Sequence, residues 1–126
     1  MIRHKLLAAA FAVVACLGLT VAVGTPAYAD APQSCNQLSI GKVCVIYQAD
    51  GWVVGKFINN SGGANTLYFD IVKSPSAIVK TCSWVTIPAG DTANCVYKTP
   101  VHGAQYKNGI HTASGGIYDS GWITVP

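Results

Sequence analysis

The stretch Cys82-Ser83-Trp84-Val85-Thr86-Ile87-Pro88-Ala89-Gly90-Asp91-Thr92-Ala93-Asn94-Cys95 decides the fold class. Its centre, Ile87-Pro88-Ala89-Gly90-Asp91, is a strong turn signal: proline presets φ, glycine admits the left-handed region, and aspartate bonds to its own backbone. The midpoint between Pro88 and Ala89 is equidistant from Cys82 and Cys95, so a hairpin folded there sets the two cysteines directly opposite each other. Opposed antiparallel residues have Cα atoms about 4.5 to 5.5 Å apart, within disulfide range. Cys35 and Cys44 then pair by elimination around Gly41-Lys42. Four cysteines allow three connectivities. The main competitor joins distant strands across the core, as in immunoglobulin domains, with Trp84 nearby. Trp84 alternates in phase with Cys82, which predicts that it packs inside against a disulfide. The Cys-x-x-Cys spacing of zinc sites is absent, and no metal is expected.

Outward from this stretch the chain reads as strands and turns. Residues 42–48 are rich in β-branched and aromatic side chains and end at Ala49-Asp50-Gly51, a hairpin signal answered by a strand over 52–59. After the turn Asn60-Ser61-Gly62-Gly63-Ala64-Asn65, residues 66–72 alternate. Leu67, Phe69 and Ile71 share one face, while Tyr68 and Asp70 share the other, which places Asp70 outside. Lys73-Ser74-Pro75-Ser76 breaks the chain before strands at 77–87 and 92–99. A loop at 100–104, a weaker strand over 105–112, the turn Ser114-Gly115-Gly116 and a last strand over 117–125 complete the chain. About seven short strands predict an all-β fold, a small antiparallel immunoglobulin-like β-sandwich with two disulfides, a small barrel being the alternative. Asn59-Asn60-Ser61 matches a glycosylation sequon but reads fully as a turn. The segments Phe57-Ile58-Asn59-Asn60-Ser61-Gly62 and Ile87-Pro88-Ala89-Gly90-Asp91-Thr92 resemble edges and turns of bacterial immunoglobulin-like sandwiches; that resemblance covers about a tenth of the chain and implies a fold, not a function.

Residues 1–29 read as an export signal, with a basic start at Arg3, His4 and Lys5, an apolar run over 6–23, and the cleavage triplet Ala27-Tyr28-Ala29. Gly18, Gly24 and Pro26 argue against a retained anchor. The lipoprotein-like Val13-Val14-Ala15-Cys16 is disfavoured because a cut there would leave an apolar stretch at the start of the chain. The expectation is a freely secreted product, residues 30–126, forming one domain in an oxidising exterior. It carries six lysines against five aspartates, a net charge of +1, with no arginine and no glutamate. Nucleic acid and stable membrane association are therefore not expected, since both need clustered cations. The absent residues also count against phosphate ligands and most hydrolytic designs.

A triad can be drawn from His111, Asp119 and Ser114 or Ser120, but the nucleophile elbow Gly-x-Ser-x-Gly is missing. His102 and His111 lack metal-ligand spacing and read as exposed. No catalysis and no cofactor are expected. Along residues 117–125, Ile117, Ile123 and Val125 share one face and Tyr118, Trp122 and Thr124 the other. With the aliphatic face inward, Tyr118 and Trp122 point out, and Lys107 with His111, or Tyr106 with Asn108, flank them. The candidate ligand-binding residues are thus Tyr106, His111, Tyr118 and Trp122, a platform for a polysaccharide or an extracellular protein, with packing under a loop the competing reading of Trp122. Trp52 is assigned to bracing the Asp-Gly hairpin. The expected function is a small, secreted, non-enzymatic binding module acting as a monomer. The alternative is a proteinaceous inhibitor that presents the disulfide-braced turn Pro88, Ala89 and Gly90, or the loop 100–104, to an enzyme. Tendamistat-type amylase inhibitors also pair two disulfides with a sandwich, but their Trp-Arg-Tyr triplet is missing and the cysteine spacing differs.

Overall fold

A computed structural model of the chain describes residues 31–126, so the export-signal reading of residues 1–29 lies outside the described residues. The β-branched and aromatic runs form nine strands among the described residues: β1 Gln33–Gln37, β2 Lys42–Tyr47, β3 Val53–Ile58, β4 Asn65–Lys73, β5 Ala77–Ile87, β6 Thr92–Tyr97, β7 Gln105–Thr112, β8 Ile117–Asp119 and β9 Ile123–Thr124. One antiparallel sheet has the order β1-β2-β3-β6, the other β5-β4-β7-β8, with β9 also paired to β7. The chain crosses between layers from β3 to β4, from β5 to β6 and from β6 to β7. Those crossings give the Greek-key connection of an immunoglobulin-like sandwich. Two strands exceed the expected seven because β1 is polar, with no alternation to read, and because the last strand is split in two.

Both disulfides follow the local pairing. Cys35 and Cys44 face each other across β1 and β2, Cα to Cα 4.1 Å. Cys82 bonds Cys95 at a Cα separation of 5.8 Å, but not across a hairpin. β5 and β6 share no ladder; they are edge strands of opposite sheets. The turn itself forms, Asp91 N donating to Pro88 O at 3.1 Å, but stacked sheets lie about 10 Å apart, so residues 88–91 arch over that gap between layers and do not close a hairpin. Asn59, fully buried, anchors the arch: its N–H donates to Asp91 O at 2.8 Å and its carbonyl accepts from Gly90 N at 2.6 Å. Its side-chain Nδ2 donates to Gly63 O and Ile87 O, and its Oδ1 accepts from Ser61 and Asn65. The Asn59 amide is thus buried and committed to the loop and arch.

Between the sheets lie Val43, Val45, Val53, Phe57, Leu67, Phe69, Ile71, Ile87, Ile110, Ile123 and Val125, all buried. Tyr106 joins them. Offered by the sequence as a ligand contact, it is 0 % exposed, stands at the start of β7, and its hydroxyl accepts from Val101 N at 2.9 Å. That back-bond across the loop is the tyrosine corner of immunoglobulin-like sandwiches. Asn108, two residues on, also points inward, and its Nδ2 donates across the layer to Cys44 O at 3.0 Å. It fits because position 55 is glycine: a Cβ there would stand 2.5 Å from Asn108 Oδ1.

Two stability outcomes follow from this packing. Replacing Cys82 and Cys95 together by alanine should cost about 3 kcal/mol in urea unfolding, the loop-closure value for so short a ring; peptide mapping without reduction should recover Cys82 linked to Cys95, and a Cys44–Cys82 fragment would refute the pairing. Gly55→Ala should cost about 2 kcal/mol through overpacking, and an unchanged denaturation midpoint would show that Asn108 does not tie the sheets.

Candidate functional site

The outer face of the five-stranded sheet collects the chemistry. β4 sends Leu67, Phe69 and Ile71 into the core, as the alternation required, and turns Tyr68 and Asp70 outward. β7 supplies Lys107, Gly109 and His111 beside them, since Tyr68 pairs with His111 and Asp70 with Gly109. On β5 the ladder slips by one residue: Leu67 faces Val85 while Phe69 faces Cys82, so Ser83 and Trp84 together oppose Tyr68. This β-bulge reverses the alternation and corrects the placing of Trp84, which is 55 % exposed on the outer face instead of packed in the core.

The result is a row across the sheet, Trp84, Tyr68, His111 and Ile117. Tyr68 and His111 stack with centroids 4.3 Å apart and planes within 2°. Trp84 stands against Tyr68 edge-to-face, 4.8 Å away at 75°. Beneath the row lies Asp70. It sits on the outer face, as the sequence implied, yet is buried, because its neighbours close over it. Thr81 Oγ1 donates to Asp70 Oδ1 at 2.7 Å, and His111 Nε2 lies 3.0 Å from Oδ2. A carboxylate only accepts, so His111 carries a proton on Nε2. Tyr68, Asp70, Ile78, Thr81, Ser83 and Trp84 line a shallow groove of about 480 Å³.

Further along the face Lys107 Nζ pairs with Asp119 Oδ2 at 3.1 Å and lies 5.0 Å over the Trp122 ring. Gly109 is needed between the two aspartates: a Cβ on it would stand 2.8 Å from Asp119 Oδ1.

Of the residues the sequence singled out, the structure keeps His111 in this site and separates the others. β8 pairs Tyr118 with Ile110, while β9 pairs Ile123 with Tyr106, one residue out of step. The slip falls at Ser120-Gly121-Trp122, where Ser120 exchanges hydrogen bonds with the Asn108 backbone. It corrects the expectation of one continuous face. Ile117 is 65 % exposed, while Ile123 and Val125 are buried. Tyr118 stands opposite core-facing Ile110, with its ring by Gly116, and Trp122 lies on the outer side by Lys107, so the two form no common platform. The imagined triad is not assembled either: His111 bonds Asp70, Asp119 bonds Lys107, and Ser114 bonds Thr112. His102, in its exposed loop, meets Pro126 O at 2.7 Å. Pro88, Ala89 and Gly90 are exposed on the arch. Trp52 follows the Asp50-Gly51 turn, its N–H donating to Asp50 Oδ1, and carries Lys98 over its ring.

The sequence reading missed Trp84, Tyr68 and Asp70 as site residues. Gly121 offered a signal for one bulge, glycine within a strand; Ser83 offered none for the other. No protein-family model matches the chain, and a search of curated proteins finds no relative.

If the bulge places Trp84 as described, Trp84→Phe should remove a large share of the fluorescence that iodide quenches, and Trp84→Ala should shift stability by no more than about 0.5 kcal/mol, the usual surface range. Cooperative loss of the fold in Trp84→Ala would put the ring back in the core.

Proposed function

We propose that the protein is exported and works outside the cell as a small binding module that holds a polysaccharide on the outer face of its five-stranded sheet. The observation that carries this reading is the exposed Trp84 standing at 75° to Tyr68 beside a groove floored by Asp70 and edged by Thr81 and Ser83. A sugar ring has an apolar face and a rim of hydroxyls, and such a site offers each its partner: an aromatic surface for the first, a carboxylate and hydroxyls for the second. The platform is rigid, being built on paired strands and held by stacking, so little ordering remains to oppose binding. Export is supported by the signal-like residues 1–29 and by two disulfides, which persist in oxidising compartments. No helix among the described residues is long and apolar enough to cross a membrane.

A second reading rests on the arch. Pro88, Ala89 and Gly90 stand exposed between two anchors, the buried Asn59 and the Cys82–Cys95 bond, a geometry suited to insertion into a partner enzyme as an inhibitor.

Pull-down of the purified protein on insoluble chitin, chitosan, cellulose and peptidoglycan separates the two. The polysaccharide reading expects retention on at least one of them, a shift in tryptophan fluorescence, and roughly tenfold or greater weakening in Trp84→Ala. Retention unchanged in Trp84→Ala would remove this face from the function. No retention on any would leave the arch as the leading surface.

A further inference from the structure

The geometry points to a ligand with a positive charge: the groove selects an amino sugar whose amine is free, as in deacetylated chitin, over neutral and acidic sugars. The inference rests on the reading of this face as a glycan site and specifies its substrate class.

Every group that lines the groove favours a cation or is indifferent to charge. Tyr68 and Trp84 meet at 75° and so wall a corner on two sides. Aromatic faces carry negative electrostatic potential and draw ammonium groups to within about 6 Å. The charged side chain of the lining is Asp70, and no lysine stands in it. Lys107, which shares the outer face, is engaged with Asp119 and Trp122. Asp70 accepts one hydrogen bond on each oxygen, from Thr81 and His111. A carboxylate has about four acceptor positions, so positions remain for N–H donors. Oδ1 is the oxygen bound by Thr81, itself a lining residue. At 7 % exposure the carboxylate is little screened by water, which strengthens its attraction for an ammonium ion held in the corner.

The discrimination has a sign for each class of sugar. An ammonium group gains from the exposed Trp84 ring and the carboxylate. An N-acetylated or unsubstituted ring keeps the stacking on Trp84 and loses the charge attraction. A uronic acid sets one carboxylate against another with no lysine lining the groove to offset it. Bulk electrostatics would not produce this order, because the exported chain carries a net charge of +1 and is repelled as a whole by a polycation.

The test is retention of the purified protein on beads of chitosan, chitin, cellulose and cross-linked polygalacturonate. Chitosan should hold it about tenfold more tightly than chitin. Soluble glucosamine should release it and N-acetylglucosamine should not. Asp70→Asn should bring chitosan and chitin to the same level; should that variant fail to fold, a salt titration of the natural protein replaces it, with retention on chitosan falling and retention on chitin holding. Equal retention on chitin and chitosan, or preference for polygalacturonate, overturns the charge selection while the glycan reading stands. No retention on any bead overturns both.

Discussion

The covalent bond between Cys82 and Cys95 is the constraint on which the rest of the molecule depends. It joins the edge strands of opposite layers, so it acts on the spacing of the sheets and not on the register of a hairpin. In a domain this small the apolar layer between the sheets is modest, and an edge strand is the element most easily lost from it. β5 illustrates the need. It is the longest strand, Ala77–Ile87, it pairs on one side only, and most of its residues are exposed. Its ladder to β4 is broken at two places, each break leaving backbone groups without a ladder partner. The disulfide near its middle and the Asn59 clamp at its end hold it where hydrogen bonding alone is interrupted. Trp84 stands two residues from Cys82, so the position of the site's most exposed ring is set by the same bond.

Two single-residue insertions account for most of the distance between what the sequence reveals and what the structure contains. Where alternation runs unbroken, as from Thr66 to Val72, the sequence places every side chain on its proper face, and the Asp50-Gly51 hairpin is equally legible; the Cys82–Cys95 pairing is the expected one, but it joins two sheets and not the arms of the hairpin from which it was read. At Ser83-Trp84 and at Ser120-Gly121-Trp122 one extra residue reverses everything beyond it. The first insertion brings Trp84 out; the second puts Ile117 in solvent and parts Tyr118 from Trp122. A bulge leaves a one-residue phase shift in a pattern whose period is two, so the shift is visible only against the partner strand. The partner is a matter of topology. Topology likewise hid the partner of His111: Asp119 is near in sequence, but Asp70 lies diagonally across the β4–β7 ladder, two residues along from Tyr68, which faces His111 directly.

Polar residues inside the sandwich follow a different logic from those on its face. Asn59 and Asn108 are buried and bind backbone. Asn59 fastens the loop 59–65 and the arch 88–91 together, and Asn108 reaches from one sheet to the other over Gly55. The strand over 105–112, the weaker one by sequence, contains Asn108 and Gly109, yet β7 lies inside its sheet, with neighbours on both sides. Its poor strand formers are there because each meets a contact that a better one would block: Asn108 the carbonyl of Cys44, Gly109 the carboxylate of Asp119. Propensity yields to such contacts at the middle of a sheet.

Asp70 fits neither pattern, and this is why it carries the functional argument. It is buried on the outer face, away from the apolar core, and its partners are side chains instead of backbone. An alternating strand of this kind needs only a solvated polar residue there, and a threonine would satisfy the pleat without burying a charge. Burying a carboxylate costs free energy unless partners offset the loss of water, and here the partners are themselves assembled for the purpose: Thr81 across one ladder, His111 from the other, with Tyr68 stacked on the imidazole. The arrangement adds nothing to the packing between the sheets. A cluster that the fold does not require, set under the most exposed aromatic of the site, is placed where a ligand would meet it.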